Sequence, residues 1–191
     1  YQGQELWTFH LVDPDNRGPV DFEHNRQLLA DFDSRLAAGG SLDELARELG
    51  ASPRDPRLKL FVTWRTLQFR RANARLFEMG DYEPLLVEGE RVGHVCAFAR
   101  RLPAIQDGQE PNTAIVIVPR LLAQLVPQQD DGKPRAPVGS VWKDTRVLLP
   151  EPFRGPGQNV FTGEMLPADS SELPLDKVLA EFPVALLSGK M

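Results

Sequence analysis

The sequence predicts an α+β chain in which helices come first and an antiparallel, β-rich part follows. Before Gly80, apolar residues recur at helical spacing between capping signals; after it they fall in short extended runs broken by turn residues. The prolines point the same way, because most of the 17 lie beyond residue 100, where they favour loops and short strands over long helices. These observations predict two parts, residues 1–79 and 80–191.

Residues 1–20 read as a loop punctuated by Pro14, Gly18 and Pro19, with Asp13, Asp15 and Asn16 of the kind whose side chains satisfy their own turn backbone. Asp21 is the N-cap candidate of a first helix that carries Leu28, Leu29, Phe32 and Leu36 and ends near Gly39 and Gly40. Ser41 followed by Glu44 forms a capping box, opening a short helix through Leu42, Leu45, Ala46 and Leu49 that stops at Gly50. Pro56 suits the start of the third and longest helix, over 57–77. Its apolar positions, among them Leu58, Phe61, Trp64, Phe69 and Phe77, cover more than one stripe and predict burial against two neighbours. Arg65, Arg70, Arg71 and Arg75 crowd its second half, where cations complement the helix dipole.

Beyond Gly80, residues 82–88 and 92–100 predict a hairpin around a Gly-containing turn. "TAIVIVP" (113–119) is a continuous β-branched run of the kind buried on both faces of a sheet. A helical turn follows it, then a polar Pro/Gly-rich loop over 127–140. Strands are expected at 145–150, 159–166 and 183–187, with a short helix, or alternatively a strand, over 174–182.

Composition narrows the function classes. A net charge of -5 offers no electrostatic reason to expect nucleic acid, which favours a basic face. The single cysteine, Cys96, cannot form an internal disulfide and fits a reducing compartment as an inert strand residue. No apolar run approaches the roughly 20 residues of a membrane helix. The expectation is therefore a soluble, cytoplasmic protein with neither nucleic acid nor membrane as partner. His24 and His94 lack metal-ligand spacing, so no metal and no cofactor are expected.

Several motifs occur in a telling order: "YQGQE" (1–5), "LVDPDNRGPVD" (11–21), "RTLQFRRANARLFEMGDYEPL" (65–85), "DTRVLLP" (144–150) and "FPVALL" (182–187). Together they resemble the maltooligosyltrehalose synthase family of the α-amylase superfamily, glycoside hydrolase family 13. The resemblance implies a terminal helical segment of a (β/α)8 barrel in residues 1–79, with a rim loop after barrel strand eight. A C-terminal antiparallel β-sandwich-like domain would then occupy 80–191. It also implies an isomerase of trehalose biosynthesis, which converts the reducing-end α-1,4 linkage of a maltooligosaccharide to α,α-1,1 by intramolecular transglucosylation. A partner hydrolase, maltooligosyltrehalose trehalohydrolase, would then release trehalose. Retaining chemistry needs two carboxylates about 5 Å apart. By resemblance these, and a third acid, lie on or after barrel strands four, five and seven. The chain is thus expected to hold no catalytic residue, to be inactive alone, and to partner the upstream barrel.

The same resemblance puts residues 1–22 at the C-terminal ends of barrel strands, where such barrels build their sites. The expected substrate-binding residues are Tyr1, Gln2, Glu5, Asp13, Asp15, Asn16 and Arg17. Tyr1 offers a stacking face and a hydroxyl, or packs as a rim tyrosine. Gln2 can donate and accept hydrogen bonds, as can Gln4. Glu5 binds sugar or holds the loop by a salt bridge; Asp13 and Asp15 cap the turn or enter the sugar site. Asn16 and Arg17 are the sharper candidates, since an arginine near the acceptor subsite presents a rigid fork of donors to hydroxyls or a carboxylate. A structural salt bridge is the alternative for Arg17. His10 reads as a loop residue or faces the site, Lys59 and Arg65 reach the rim or pack, and Trp64 packs in the core. Trp142, beside Asp144 and Arg146, is a carbohydrate platform or an interdomain packing residue. Two rival classes remain: another superfamily α-glucosidase or mutase, and a noncatalytic carbohydrate-binding module.

Overall fold

A computed structural model describes residues 3–8, 10, 12–14, 17–103, 112–126, 134–153, 157–166 and 170–190. Helix α1 (Phe22–Ala37) starts at Asp21, whose Oδ1 accepts the His24 backbone N–H at 2.8 Å. Helix α2 (Leu42–Gly50) starts at Ser41, whose Oγ accepts the Glu44 N–H at 3.2 Å. Helix α3 (Pro56–Ala72) is capped by Asp55 and has proline in its first turn. Each cap satisfies a backbone donor that the helix itself leaves unpaired.

The expected single helix over 57–77 is two. It breaks at Asn73, and α4 (Ala74–Met79) follows. The Asn73 amide donates to the Phe69 carbonyl at 2.9 Å and its oxygen accepts from Asn112 at 2.8 Å. A short amide side chain that competes for backbone partners in this way ends helices.

Among the described residues, nine strands form two antiparallel sheets: β1 (Asp81–Pro84), β2 (Val87–Glu88), β3 (Val95–Leu102), β4 (Asn112–Pro119), β5 (Arg146–Leu148), β6 (Gly157–Asn159), β7 (Met165–Leu166), β8 (Glu172–Pro174) and β9 (Ala185–Lys190). The larger sheet has the order β1-β3-β4-β9-β6-β7 and the smaller β2-β5-β8. Short helices α5 (Leu122–Leu125) and α6 (Leu175–Val178), with 3-10 turns at Val92–His94, Gly139–Trp142 and Glu151–Phe153, complete the described elements. The α+β expectation holds at this level, and the described residues contain no barrel.

The expected strand over 82–88 divides between the sheets. Asp81–Pro84 pairs with β3, whereas Val87 and Glu88 pair with β5. Leu85, buried between the two sheets, marks the crossing. The run 159–166 is likewise a tight hairpin and not one strand. There Asn159 Oδ1 accepts the Phe161 N–H and Thr162 Oγ1 accepts the Glu164 N–H, so side chains supply the turn's partners. Strand β8 was not expected, and the helix expected over 174–182 is limited to α6.

The larger sheet is covered on both faces. Ala97, Ala99, Ile115, Ile117, Ala185 and Leu187 pack toward Val147 and Leu173 of the smaller sheet. Ala114, Val116 and Leu186, on the other face, pack against Phe32, Leu45, Leu49 and Phe61 of the helices. Phe61 is the hub of that second core: it is 0% exposed and its ring lies 5.7 Å from Phe32, 5.7 Å from Phe182 and 6.3 Å from Phe161. Arg65 adds two hydrogen bonds to the Val160 carbonyl, at 3.0 and 2.8 Å. Burial pulls its guanidinium below its ordinary pKa, although it stays a cation. The approach of α2 to the β part is so close that a Cβ on Gly50 would lie 2.3 Å from the Glu181 carbonyl oxygen. Burial of α3 on two sides is confined to its first half; Leu67 in the second half is 58% exposed.

Trp142 is 0% exposed within the core between the sheets, and its indole N–H donates to the Pro137 carbonyl at 2.8 Å. It is therefore neither a carbohydrate platform nor a residue between the helices and the sheets. No helix among the described residues is long and apolar enough to cross a membrane.

A charged cluster ties the helices to one another. Glu48 bridges Arg35 at 2.7 Å and Arg57 at 2.9 Å, and Arg57 also meets Asp55 at 2.7 Å. The hydrogen bond from Arg57 holds the Asp55 carboxyl below its ordinary pKa, and that from Arg35 does the same for Glu48.

Two outcomes follow from this packing. Phe61→Ala should cost about 3–5 kcal/mol in denaturant unfolding, because the neighbouring Phe32, Phe161, Phe182 and Trp64 rings cannot close the gap; a loss under about 1 kcal/mol would show the aromatic cluster to be loose. Carboxylates with depressed pKa values stabilise fully above their unfolded-state pKa and lose that contribution as pH falls through the folded-state value. Melting temperature should therefore drop as pH falls below about 4, with a shallower drop in Asp55→Asn. Identical slopes would remove Asp55 from the acid response.

Candidate functional site

The described residues of the loop before α1 fold back on its first turn. Gly3 has φ of +74°, and a Cβ there would lie 2.6 Å from the Val20 side chain, so this contact requires glycine. Thr8 donates its hydroxyl to Gln4 Oε1 at 3.4 Å, and Asn25 of α1 donates to Glu5 Oε2 at 3.4 Å. Lys59 of α3 donates to the Leu6 carbonyl at 3.3 Å, and its ammonium lies over the Trp7 ring, 5.6 Å from the centroid. The loop is thereby joined to α1 through Glu5 and to α3 through Leu6 and Trp7.

Two concavities meet at this residue. The first, of about 320 Å³, is lined by Gln4, Trp7, Thr8, His10, Asp21, His24 and Asn25 among others. The second, of about 440 Å³, is an apolar groove of Trp7, Leu58, Val62, Val118, Leu122 and Val184, with Lys59 at its side. An aromatic face beside amide, hydroxyl and imidazole groups suits a ligand with both an apolar face and many hydroxyls.

Of the expected site residues, Asp13 and Arg17 are brought together: their side chains pair at 2.5 Å, 56% and 75% exposed, outside the walls of both concavities. The Arg17 N–H also donates to the Pro14 carbonyl at 2.9 Å. Glu5 is half-buried on Asn25, apart from that pair. Tyr1, Gln2, Asp15 and Asn16 lie outside the described residues. Gln4 and His10 line the polar concavity. Arg65 turns to the Val160 carbonyl, whereas Lys59 does reach the loop.

Sequence reasoning missed Trp7, Thr8 and Asn25. A tryptophan within a polar loop was the available signal for Trp7. Asn25 has no such signal, since only the fold shows that the first turn of α1 faces the loop. Asp21, the carboxylate in the polar wall, already caps α1. Among the described residues, no pair of acids with the spacing of a retaining glycosidase lines this concavity. Among the described residues, no group of three or more His, Cys, Asp or Glu gathers as a metal site.

No protein-family profile matches the chain, and no solved structure matches it. Two curated proteins of Mycobacterium tuberculosis, from strains CDC 1551 / Oshkosh and ATCC 25618 / H37Rv, are each 32% identical to it over 100 residues. Both bear the name "Putative maltooligosyl trehalose synthase". The match covers 52% of this chain and 10% of each relative, so the chain spans about a tenth of their length. It supports a suspected relation to trehalose-synthesising enzymes.

Replacing Gly3 by alanine should cost the loop about 1–3 kcal/mol through its left-handed backbone and its contact with Val20. Amide hydrogen exchange over residues 4–8 should quicken accordingly. Unchanged exchange would mean that the Gly3–Val20 contact does not hold the loop.

Proposed function

We propose that this chain is the C-terminal part of a maltooligosyltrehalose synthase, an intramolecular transglucosylase acting on maltooligosaccharides in the cytoplasm. The observation that carries the reading is the 100-residue similarity to two proteins of that name. The polar concavity with its aromatic wall supports it, because sugar recognition needs both kinds of surface. On this reading residues 1–79 end a catalytic barrel and residues 80–191 form its β-sandwich-like domain. The catalytic acids then belong to upstream barrel strands, and the chain alone has no turnover.

The reaction sets the task of the loop. Once the reducing-end linkage breaks, the released glucose has to turn and attack through its C1 hydroxyl before water does. Groups that hold the detached ring therefore decide between isomerisation and hydrolysis. Tyr1, Gln2, Glu5, Asp13, Asp15, Asn16 and Arg17 supply that hold in this proposal, with Arg17 kept in place by Asp13. The product, a nonreducing glucan ending in trehalose, suits a partner hydrolase, maltooligosyltrehalose trehalohydrolase.

The full-length parent should convert maltopentaose to a nonreducing product of the same glucose count. Free glucose as the main product would overturn the mutase assignment. Arg17→Ala in that parent should lower the ratio of isomerisation to hydrolysis about tenfold, roughly one hydrogen bond to a charged group. An unchanged ratio would make Arg17 structural.

A further inference from the structure

We propose that Trp7 is a stacking platform for a pyranose ring, with one indole face open to the polar concavity and the other held by Lys59. This rests on the glucan reading above and names the contact that the reading lacks.

Trp7 is the residue shared by both concavities, so its indole is the wall between them. Lys59 lines the apolar groove and not the polar concavity. Its ammonium lies over the ring, 5.6 Å from the centroid. Trp7 is 47% exposed. The other two tryptophans are engaged: Trp64 stacks on Phe32 at 5.6 Å, and Trp142 is buried.

The surroundings suit a pyranose. Gln4, Thr8, His10, His24 and Asn25 line the polar concavity with Trp7. They can donate and accept hydrogen bonds in the mixed pattern that sugar hydroxyls require. A pyranose lays its C–H face on an aromatic ring and turns its hydroxyls outward, which matches this division. At about 320 Å³, the concavity is at the small end of ligand sites, which span about 300–1,000 Å³. Lys59 acts as a positioning residue: its bond to the Leu6 carbonyl, across 53 residues of sequence, fixes the loop beside the ring that it braces.

The test is a titration of the ¹⁵N-labelled 191-residue chain with maltopentaose, following the three indole N–H signals. The Trp7 signal should move with saturation while those of Trp64 and Trp142 stay. Trp7→Ala should weaken binding roughly three- to tenfold, the worth of one aromatic contact, and Trp7→Phe should recover most of it. Lys59→Met should weaken binding at an unchanged melting temperature, and Lys59→Arg should restore it. A Trp7 signal unmoved by maltopentaose, or a Trp7→Ala chain that binds as the wild type does, would overturn the platform. If Trp7→Ala fails to fold, the wild-type and Trp7→Phe titrations decide the matter alone. An equal response to cellopentaose would keep the platform but remove the preference for an α-glucan.

Discussion

Strand β4 is apolar on both faces, and both layers of the molecule depend on that. Ile115 and Ile117 face the smaller sheet, while Ala114 and Val116 face the helices. Neither face can be left to water without exposing a continuous hydrophobic surface, so each layer requires the other. Helices α1 to α3 have little stability of their own at these lengths. Their docking through Phe61 gives them a fixed place, and the Arg65 bonds to the Val160 carbonyl align them along the sheet.

The candidate site inherits its geometry from that docking. The loop touches the body through Val20 under Gly3, through Asn25 on Glu5, and through Lys59 on Leu6 and Trp7. Two of these contacts come from helices that the sheet positions, so the distant β part sets the shape of a concavity to which it adds no residue. Among the described residues that line this concavity, the carboxylate is Asp21, and it accepts the His24 backbone N–H as the cap of α1.

Local chemistry was legible in the sequence wherever one residue decides an outcome. Asp21, Ser41 and Pro56 marked helix starts because caps act over three or four residues, and the β-branched run of β4 announced a doubly buried strand. What escaped depends on contacts made at a distance. The break at Asn73 is completed by Asn112, the sheet change at Leu85 by β5, and the burial of Trp142 by Pro137. The site divides in the same way. Its loop could be singled out from residue types and resemblance, as could the choice between sugar contact and ion pair for Arg17. The structure gives Arg17 an ion-pair partner in Asp13. The pocket wall could not be assembled, since Trp7, His24 and Asn25 converge only once α1 and α3 are in place.

The link between Arg65 and Val160 spans 95 residues of chain. Loops of that size close slowly, since the entropy of bringing their ends together is lost before any contact repays it. During synthesis α3 leaves the ribosome long before β6 and β9, so Phe61 then lacks the Phe161 and Phe182 rings that complete its cluster. The helices must wait for the strands that complete their seat, and in that interval they are a natural client for chaperones.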